Sequence, residues 1–384
     1  MKAKVMIIEG CDFVSYPVGG QLTHAKHWIQ VFGDHLALVG FSLDDTPVGV
    51  WTRKKFDDVL LNFFSIGKVK PLTNKPLIPM RLSVLLRLML YKKQILSIGI
   101  ESAFVESPEA MIAVSQWGLR ICYKFAGVEN PLAMPRYAVG KLFAGRFDKL
   151  LFSALADHAE LILASADSNA IKEMVSRSNG RLGSDKIVSY PTRVDTKIFK
   201  LDRDSIPRSQ PIFITCGRIN HVKGWDLILD AFRLVNNEMT SSRLYFVGDG
   251  EDRTALETLI ANNGLQNSVT ITGFKDPVEV AGLLNSSSVF LLGSHREGWP
   301  IALLEALACG LPVVSTNVSG AYDLVAEHSN GYVVETRNAV DFAAKMIAAL
   351  KLNNPNSVSL RIAQNYALDK LRCELESLWE PLRG

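Results

Sequence analysis

The run Cys216-Gly217-Arg218-Ile219-Asn220-His221-Val222-Lys223-Gly224-Trp225 places two cations in a loop that leaves a strand through a glycine and enters a helix. A helix N-terminus offers unpaired N–H groups and partial positive charge, so anions bind there. Arg218 as a bidentate fork and Lys223 as a point charge suit a diphosphate. A solvated loop with two surface cations fits the same spacing. Downstream, His295-Arg296-Glu297-Gly298-Trp299-Pro300-Ile301-Ala302-Leu303-Leu304-Glu305-Ala306 sets Glu297 in a loop and Glu305 inside an apolar helical stretch. Pro300 suits the first helical turn. A carboxylate among Leu303, Leu304, Ala306 and Leu307 must face solvent or meet a partner. Paired acceptors at that depth match vicinal hydroxyls such as those of a ribose; two ordinary surface acids fit as well.

These loops need a scaffold, and the second half of the chain supplies one. β-rich runs at Ile212–Cys216, Leu244–Val247, Val269–Thr272, Val289–Leu292 and Val313–Ser315 alternate with helical stretches. The helices are Trp225–Val235, Asp252–Asn262, Val278–Leu284, Ile301–Ala308 and Ala339–Leu350, with Gly or Pro at nearly every junction. That rhythm predicts a parallel sheet with helices on both faces. The first half repeats it less cleanly. Strands fit Val5–Glu9, His35–Gly40, Ala103–Val105, Arg120–Tyr123, Leu161–Ala164 and Lys186–Ser189, and helices fit His24–Val31, Arg81–Ser97 and Asp148–Asp157. Lys197–Gln210 reads as a linker, and Leu360–Leu382 as one amphipathic helix.

Composition narrows the class. The 384 residues suit two domains, and 48% apolar with 21% charged content is globular. Five cysteines without a CxxC pair argue against a disulfide framework or a structural zinc site and fit a reducing compartment. The apolar run Val5–Ile8 is too short for a signal peptide, and no stretch approaches the ~20 residues of a membrane span. The expected location is therefore the cytoplasm, at the inner face of the cell membrane if the basic segment acts as described below. No acidic residue stands between Asp58 and Glu101, where Lys68, Lys70, Lys75, Arg81, Arg87, Lys92 and Lys93 are interleaved with apolar residues.

In order, GRxxxxKGxDxxxxAF, LYFVGDGED, TGF and EGWPIALLEALACGLPVVSTNVSG resemble the donor domain of retaining glycosyltransferases of family 4. The likeness is close from about Gly217 to Gly331 and reaches upstream through Tyr190–Phe199. It implies an α/β GT-B fold: two Rossmann-like doubly wound domains facing a cleft. Residues 1–200 would form the acceptor-binding domain, 201–359 the nucleotide-sugar donor domain, and a C-terminal helix at about 360–384 would cross back to the first domain. By the same resemblance Arg218 and Lys223 neutralise the donor diphosphate and Glu305 holds the ribose hydroxyls. Glu297 binds the transferred sugar, helped by backbone N–H groups in the stretch from Gly298 to Ile301, which also contains Trp299 and Pro300. Gly248, Gly273 and Phe274 line the nucleoside pocket, and Gly19 and Gly20 form the glycine loop after the first strand. Many relatives carry a His after the strand matching Ile121–Lys124; this chain reads Phe125-Ala126-Gly127-Val128-Glu129, so no such role is assigned. His24 and His27 either line the cleft or are structural.

Retention at the anomeric carbon is implied, by a front-face route in which the leaving phosphate takes the acceptor's proton; the rival is double displacement on Glu297. With two cations at the diphosphate, neither a metal nor another cofactor is expected. The implied partners are a nucleotide sugar and a glycan or lipid-linked acceptor of surface-polysaccharide synthesis, and no nucleic acid. Contact of the basic segment 68–93 with anionic lipid is the further expectation, through an arc of Ser83, Arg87, Lys93, Gln94 and Ser97; a core-packing helix fits Arg81–Ser97 equally. Other readings are a nucleotide-sugar epimerase of the same build and a non-catalytic partner subunit. A nicotinamide dehydrogenase lacks its GxGxxG loop.

Overall fold

A computed structural model describes residues 3–16, 20–69, 80–125, 140–164, 168–202 and 210–383. Gly19, Lys70, Lys75 and residues 126–129 lie outside the described residues. The chain gathers into two compact units, Met1–Pro191 with Asp369–Gly384, and Thr192–Leu368.

In the second unit every strand is parallel. The strands are β9 Ile212–Cys216, β10 Arg243–Val247, β11 Val269–Gly273, β12 Val289–Leu292, β13 Val313–Thr316 and β14 Gly331–Val334, in the order β11-β10-β9-β12-β13-β14. Side chains alternate across this sheet, as a period of two requires. Ile214 and Phe290 join one core with Leu303 and Leu307, while Phe213 and Leu291 join the other with Phe232 and Phe342. Both faces are buried, so these strands read as continuous apolar runs. The short strand β14 is absent from the sequence-based expectation.

The first unit carries β1 Val5–Ile8, β2 Leu36–Ser42, β3 Trp51–Phe56, β4 Val59–Lys68, β5 Ser102–Val105, β6 Arg120–Phe125, β7 Ala159–Ala164 and β8 Ile187–Ser189. Their order is β3-β4-β2-β1-β5-β6-β7-β8, parallel except for the β3–β4 hairpin. That hairpin, with Asp57 at a positive φ of 48° in its turn, and the helices Pro108–Val114 and Ser168–Arg177 were not expected.

Two boundaries move from their expected places. The units divide at Thr192 rather than after residue 200, because Val194 N–H donates to Tyr366 O and Leu368 N–H to Val194 O, each at 2.9 Å. Val194 and Phe199 then sit in the second unit's core, so the start of the expected linker is packed structure. The same pairing holds Ala367 against Val194 and breaks the expected single tail helix. Pro355–Asn365 stays with the second unit, and Leu371–Leu378 belongs to the first. There Leu371, Leu375 and Trp379 are buried, Arg372 Nη2 donates to Val31 O, and its guanidinium lies 5.1 Å from the Phe32 ring.

Helix Met80–Leu96 also turns differently from its expected wheel. Arg87 faces the sheet, where Nη1 donates to Ile66 O at 2.8 Å. Lys68 pairs with Asp45, Arg81 with Glu109, and Lys92 donates to Gln116 O. The outward row is apolar instead: Leu82, Leu86, Met89 and Leu90 are 46%, 51%, 60% and 69% exposed.

Candidate functional site

Strand β9 lies between β10 and β12, so successive connections leave it in opposite directions and the loops after β9 and β12 meet at its carboxyl end. Ligands of doubly wound sheets bind at such a switch point. After β9, Asn220 caps a single 3-10 turn, His221–Lys223, by accepting the Lys223 N–H at 3.2 Å. Gly224 follows at a φ of +61°, and a Cβ there would overlap the carbonyl oxygen of Gly293. Only glycine lets the two loops press together at this point. Gly248 plays the same part on the other side, where a Cβ would overlap Gly217 O.

The close approach delivers Lys223 Nζ to Glu297 Oε1 at 2.7 Å. Ser294 Oγ donates to the same oxygen at 2.6 Å, and Thr316 Oγ1 fixes Ser294 by donating to its carbonyl at 2.7 Å. Glu297 is 11% exposed and Lys223 35%, so this pair is partly desolvated and open to exchange. Arg218 is exposed and shares a small pocket with Gly217, Lys223, Trp225 and Ser294. A larger hollow, lined by Leu201, Asn285, Gly310 and Asn356, opens near Ser288 and Pro312, the residues that lead into β12 and β13. Among the described residues it carries no charged side chain, and it is at the wrong end of the strands for this chemistry.

Glu305 stands on helix Ile301–Ala308, half-buried, with no cation among the described residues within ion-pair reach. Burial pushes its carboxyl up to about 8. Its charge in turn adds to the burial that raises the thiols of Cys216 and Cys309. A desolvated acid without a cation is a group prepared to accept hydroxyl donors. Gly273, at a φ of +73°, pairs with Gly248, and Phe274 beside it is 69% exposed.

The stretch Gly298–Ile301 offers few backbone donors. Pro300 has no N–H and sits at the N-cap rather than in the first turn, and Ile301 N–H is engaged by Trp299 O at 3.0 Å. Gly298 and Trp299 are what remains of that stretch. The Trp299 side chain packs inward, 9% exposed and 5.3 Å from the Tyr366 ring.

In the first unit Gly20 opens helix Gly20–Phe32. The switch point there, at β1, gathers His24 with three buried charged groups that the sequence does not single out: Glu9, Glu106, His24 and Lys124 are each no more than 4% exposed. Glu9 Oε1 accepts from the backbone N–H of Glu106 and, at 2.8 Å, of Ser107. Burial, reinforced by the neighbouring Glu106, raises the Glu9 carboxyl, and burial raises Glu106. His24 Nδ1 lies 3.3 Å from Glu106 Oε2, and burial followed by Lys124 pushes the imidazole down. His24 is thus a core residue. The signal was an acid directly after each apolar strand, VMII and SAFV.

A second unforeseen grouping lies in the loops after β9 and β12. His221, Asp226 and His295 each offer a ligand atom within 4.8 Å of the others. The rings of His221 and His295 are 4.4 Å apart, and His295 N–H donates to Val222 O at 2.8 Å. Burial first, then Arg337, lowers the His295 imidazole below its ordinary range. No spacing rule joins positions so far apart in the chain.

Residues 197–365 match the family described as glycosyl transferases group 1. The chain is 30% identical over 181 residues to the putative colanic acid biosynthesis glycosyltransferase WcaL of Salmonella typhimurium, 44% of this chain and 45% of that one. It thus spans about half the length of this relative. Sucrose-phosphate synthase of Thermosynechococcus elongatus superposes over 99% of both chains with a TM-score of 0.78 at 16% identity. HepE of Anabaena, solved in complex with UDP, covers 98% of this chain and 99% of its own, with a TM-score of 0.73 at 15% identity. The fold is therefore GT-B, α/β with two sheets of mostly parallel strands.

Proposed function

We propose that this chain, whose residues 197–365 carry the group 1 glycosyl transferase pattern, moves a hexosyl or N-acetylhexosaminyl group from a nucleotide-diphosphate sugar to a glycan or lipid-linked acceptor. The observation that carries this reading is that Arg218 and Lys223 line one crevice at the carboxyl end of β9 while Lys223 also pairs with Glu297, and that Glu305, with no cation in reach among the described residues, stands in the same unit. HepE's structure contains UDP, which makes UDP-sugars the first donors to test. WcaL's name supports a role in surface-polysaccharide synthesis.

In this mechanism the diphosphate draws Lys223 away from Glu297, and Arg218 closes on it as a fork. Both cations then oppose the charge that develops on the leaving phosphate. Glu297, released from Lys223, accepts from hydroxyls of the transferred sugar, and Glu305 accepts from the ribose. Retention follows the front-face route, with the leaving phosphate taking the acceptor's proton. Ser294 remains on Glu297 Oε1 at 2.6 Å and blunts it as a nucleophile, which disfavours double displacement. Charge neutralisation by Arg218 and Lys223 makes turnover independent of added divalent metal.

The acceptor reading extends to a lipid surface. The outward row Leu82, Leu86, Met89 and Leu90 continues to exposed Lys93, in a stretch without acids from Asp58 to Glu101. Four apolar side chains beside a cation suit shallow insertion at an anionic bilayer surface. Among the described residues no helix is long and apolar enough to cross a membrane.

Thermal-shift titration with UDP-, GDP- and ADP-sugars tests the function. A donor at ~100 times its dissociation constant adds ~2.7 kcal/mol of stability. Stabilisation by one nucleotide series, lost in Arg218→Ala, is expected; no stabilisation by any of the three would sink the proposal.

A further inference from the structure

The second unit holds a set of side chains that sugar transfer does not use. His221 opens the 3-10 turn that ends at Lys223, Asp226 lies in the first turn of helix Trp225–Glu238, and His295 follows β12, two residues before Glu297. Their ligand atoms lie within 4.8 Å of one another. His295 Nε2 and Asp226 Oδ1 are buried with no hydrogen-bond partner. Buried polar atoms are rarely left this way, since each costs the free energy of its lost hydration. Two residues with such atoms, whose ligand atoms converge with one of exposed His221, describe a place for a ligand that accepts lone pairs.

We propose that His221, Asp226 and His295 form a binding site for a divalent transition-metal ion of the zinc class, which braces the loop of Lys223 against the loop of Glu297. Two imidazoles and one carboxylate, with a fourth position open to water through exposed His221, suit a tetrahedral ion of borderline softness. Mg2+ fits poorly, because it wants six oxygens at octahedral geometry. Arg337 sharpens that selection. Its guanidinium is held on Gly293 O and Ser294 O, and its charge reaches both His295 and Asp226. An ion held mainly by charge is repelled there; one held by coordination tolerates it, and a neutral His295 ring is the form that coordinates. His221 and His295 come from the two loops already joined by the His295 N–H to Val222 O hydrogen bond. A bound ion cross-links them a second time and leaves Lys223 Nζ on the far end of the turn free for its own partner.

The test is metal binding itself, read without any sugar substrate. The 384-residue chain carrying Cys373→Ser, to remove an exposed thiol that could bind zinc elsewhere, is freed of metal and titrated with Zn2+ and with Mg2+ by calorimetry. One equivalent of Zn2+ should bind and raise the melting temperature, and Mg2+ should do neither. Co2+ should give the visible absorption of a tetrahedral nitrogen-and-oxygen site. His221→Ala, an exposed position whose circular dichroism should match the parent, and His295→Ala should each weaken Zn2+ binding at least tenfold. His328→Ala, on the far loop, should not. No saturable one-to-one binding in the parent, or binding that survives both His221→Ala and His295→Ala, overturns the site and leaves the sugar-transfer reading untouched.

Discussion

Replacing Glu305 by Gln tests whether the half-buried acid reads the ribose, because its ionisation can be followed separately from its shape. Burial raises the Glu305 carboxyl from 4.5 to about 8. At pH 7 that group is about 90% protonated, and a protonated acid loses most of its power to accept two hydroxyls. If only the carboxylate holds the ribose, the dissociation constant of a nucleotide sugar should fall about tenfold between pH 7 and pH 9, or ~1.4 kcal/mol, and level off above about pH 9. A nucleotide sugar is the right probe, since its diphosphate diester does not titrate in that range. The stability effect has the opposite sense. The folded pKa is raised, so this contribution is fully present below about pH 4.5 and is lost as pH rises through about 8. Between pH 5.5 and 7.5 the loss is about 2 kcal/mol from this group. Glu305→Gln should bind weakly at all pH values with no slope, and its urea unfolding should be less sensitive to pH than the parent's. Calorimetric affinities across pH 6.5 to 9 decide the matter. A parent whose affinity does not change, or a Gln variant that keeps the tenfold slope, refutes the assignment of Glu305 to the ribose.

Arg218→Ala should lower turnover on the order of a hundredfold, ~3 kcal/mol, with little change in melting temperature because the side chain is exposed. Lys223→Ala should lose similar turnover and also melt earlier, since Glu297 is left 11% exposed without its counter-charge; equal melting of the two variants would contradict the pairing. Gly224→Ala should cost about 2 kcal/mol or more, from a positive φ of 61° and the overlap with Gly293 O, and an unchanged chemical-denaturation midpoint would refute the steric account. Leu86→Glu with Leu90→Glu should abolish cosedimentation with vesicles containing anionic lipid, and a parent protein that does not cosediment at low salt removes the lipid proposal.

How far the residues announced this molecule depends on whether a feature is local. In the second unit the expected Ile212–Cys216, Val289–Leu292 and Ile301–Ala308 recur unchanged, because each is an apolar run closed by Gly, Pro or a polar break. The edge hairpin was hidden by its own protection. Arg53, Lys54 and Lys55 make β3 look like a solvated loop, while Lys54 in fact pairs with Asp44 and lies over the rings of Phe56 and Phe63. Charged edges of this kind deter pairing with other chains, and the same charges defeat a pattern that seeks alternation. The site divides in the same way. Arg218 and Lys223 share one loop and declared themselves, whereas Lys223 on Glu297 and His221 beside His295 depend on β9 and β12 being neighbours. Glu9 carries the argument furthest. Helix Pro108–Val114 has Ser107 in the capping position, yet the Ser107 side chain makes no cap hydrogen bond. The N–H groups of Glu106 and Ser107 instead donate to Glu9 Oε1, which stands 97 and 98 positions earlier in the chain. A rule that looks for the cap next to the helix finds a serine there and stops, although the acceptor is supplied by a neighbouring strand. An acid that closes a buried strand is therefore to be weighed as a cap for the helix after the adjacent strand, and here that role accounts for a carboxyl kept in the core at the desolvation cost its raised pKa records.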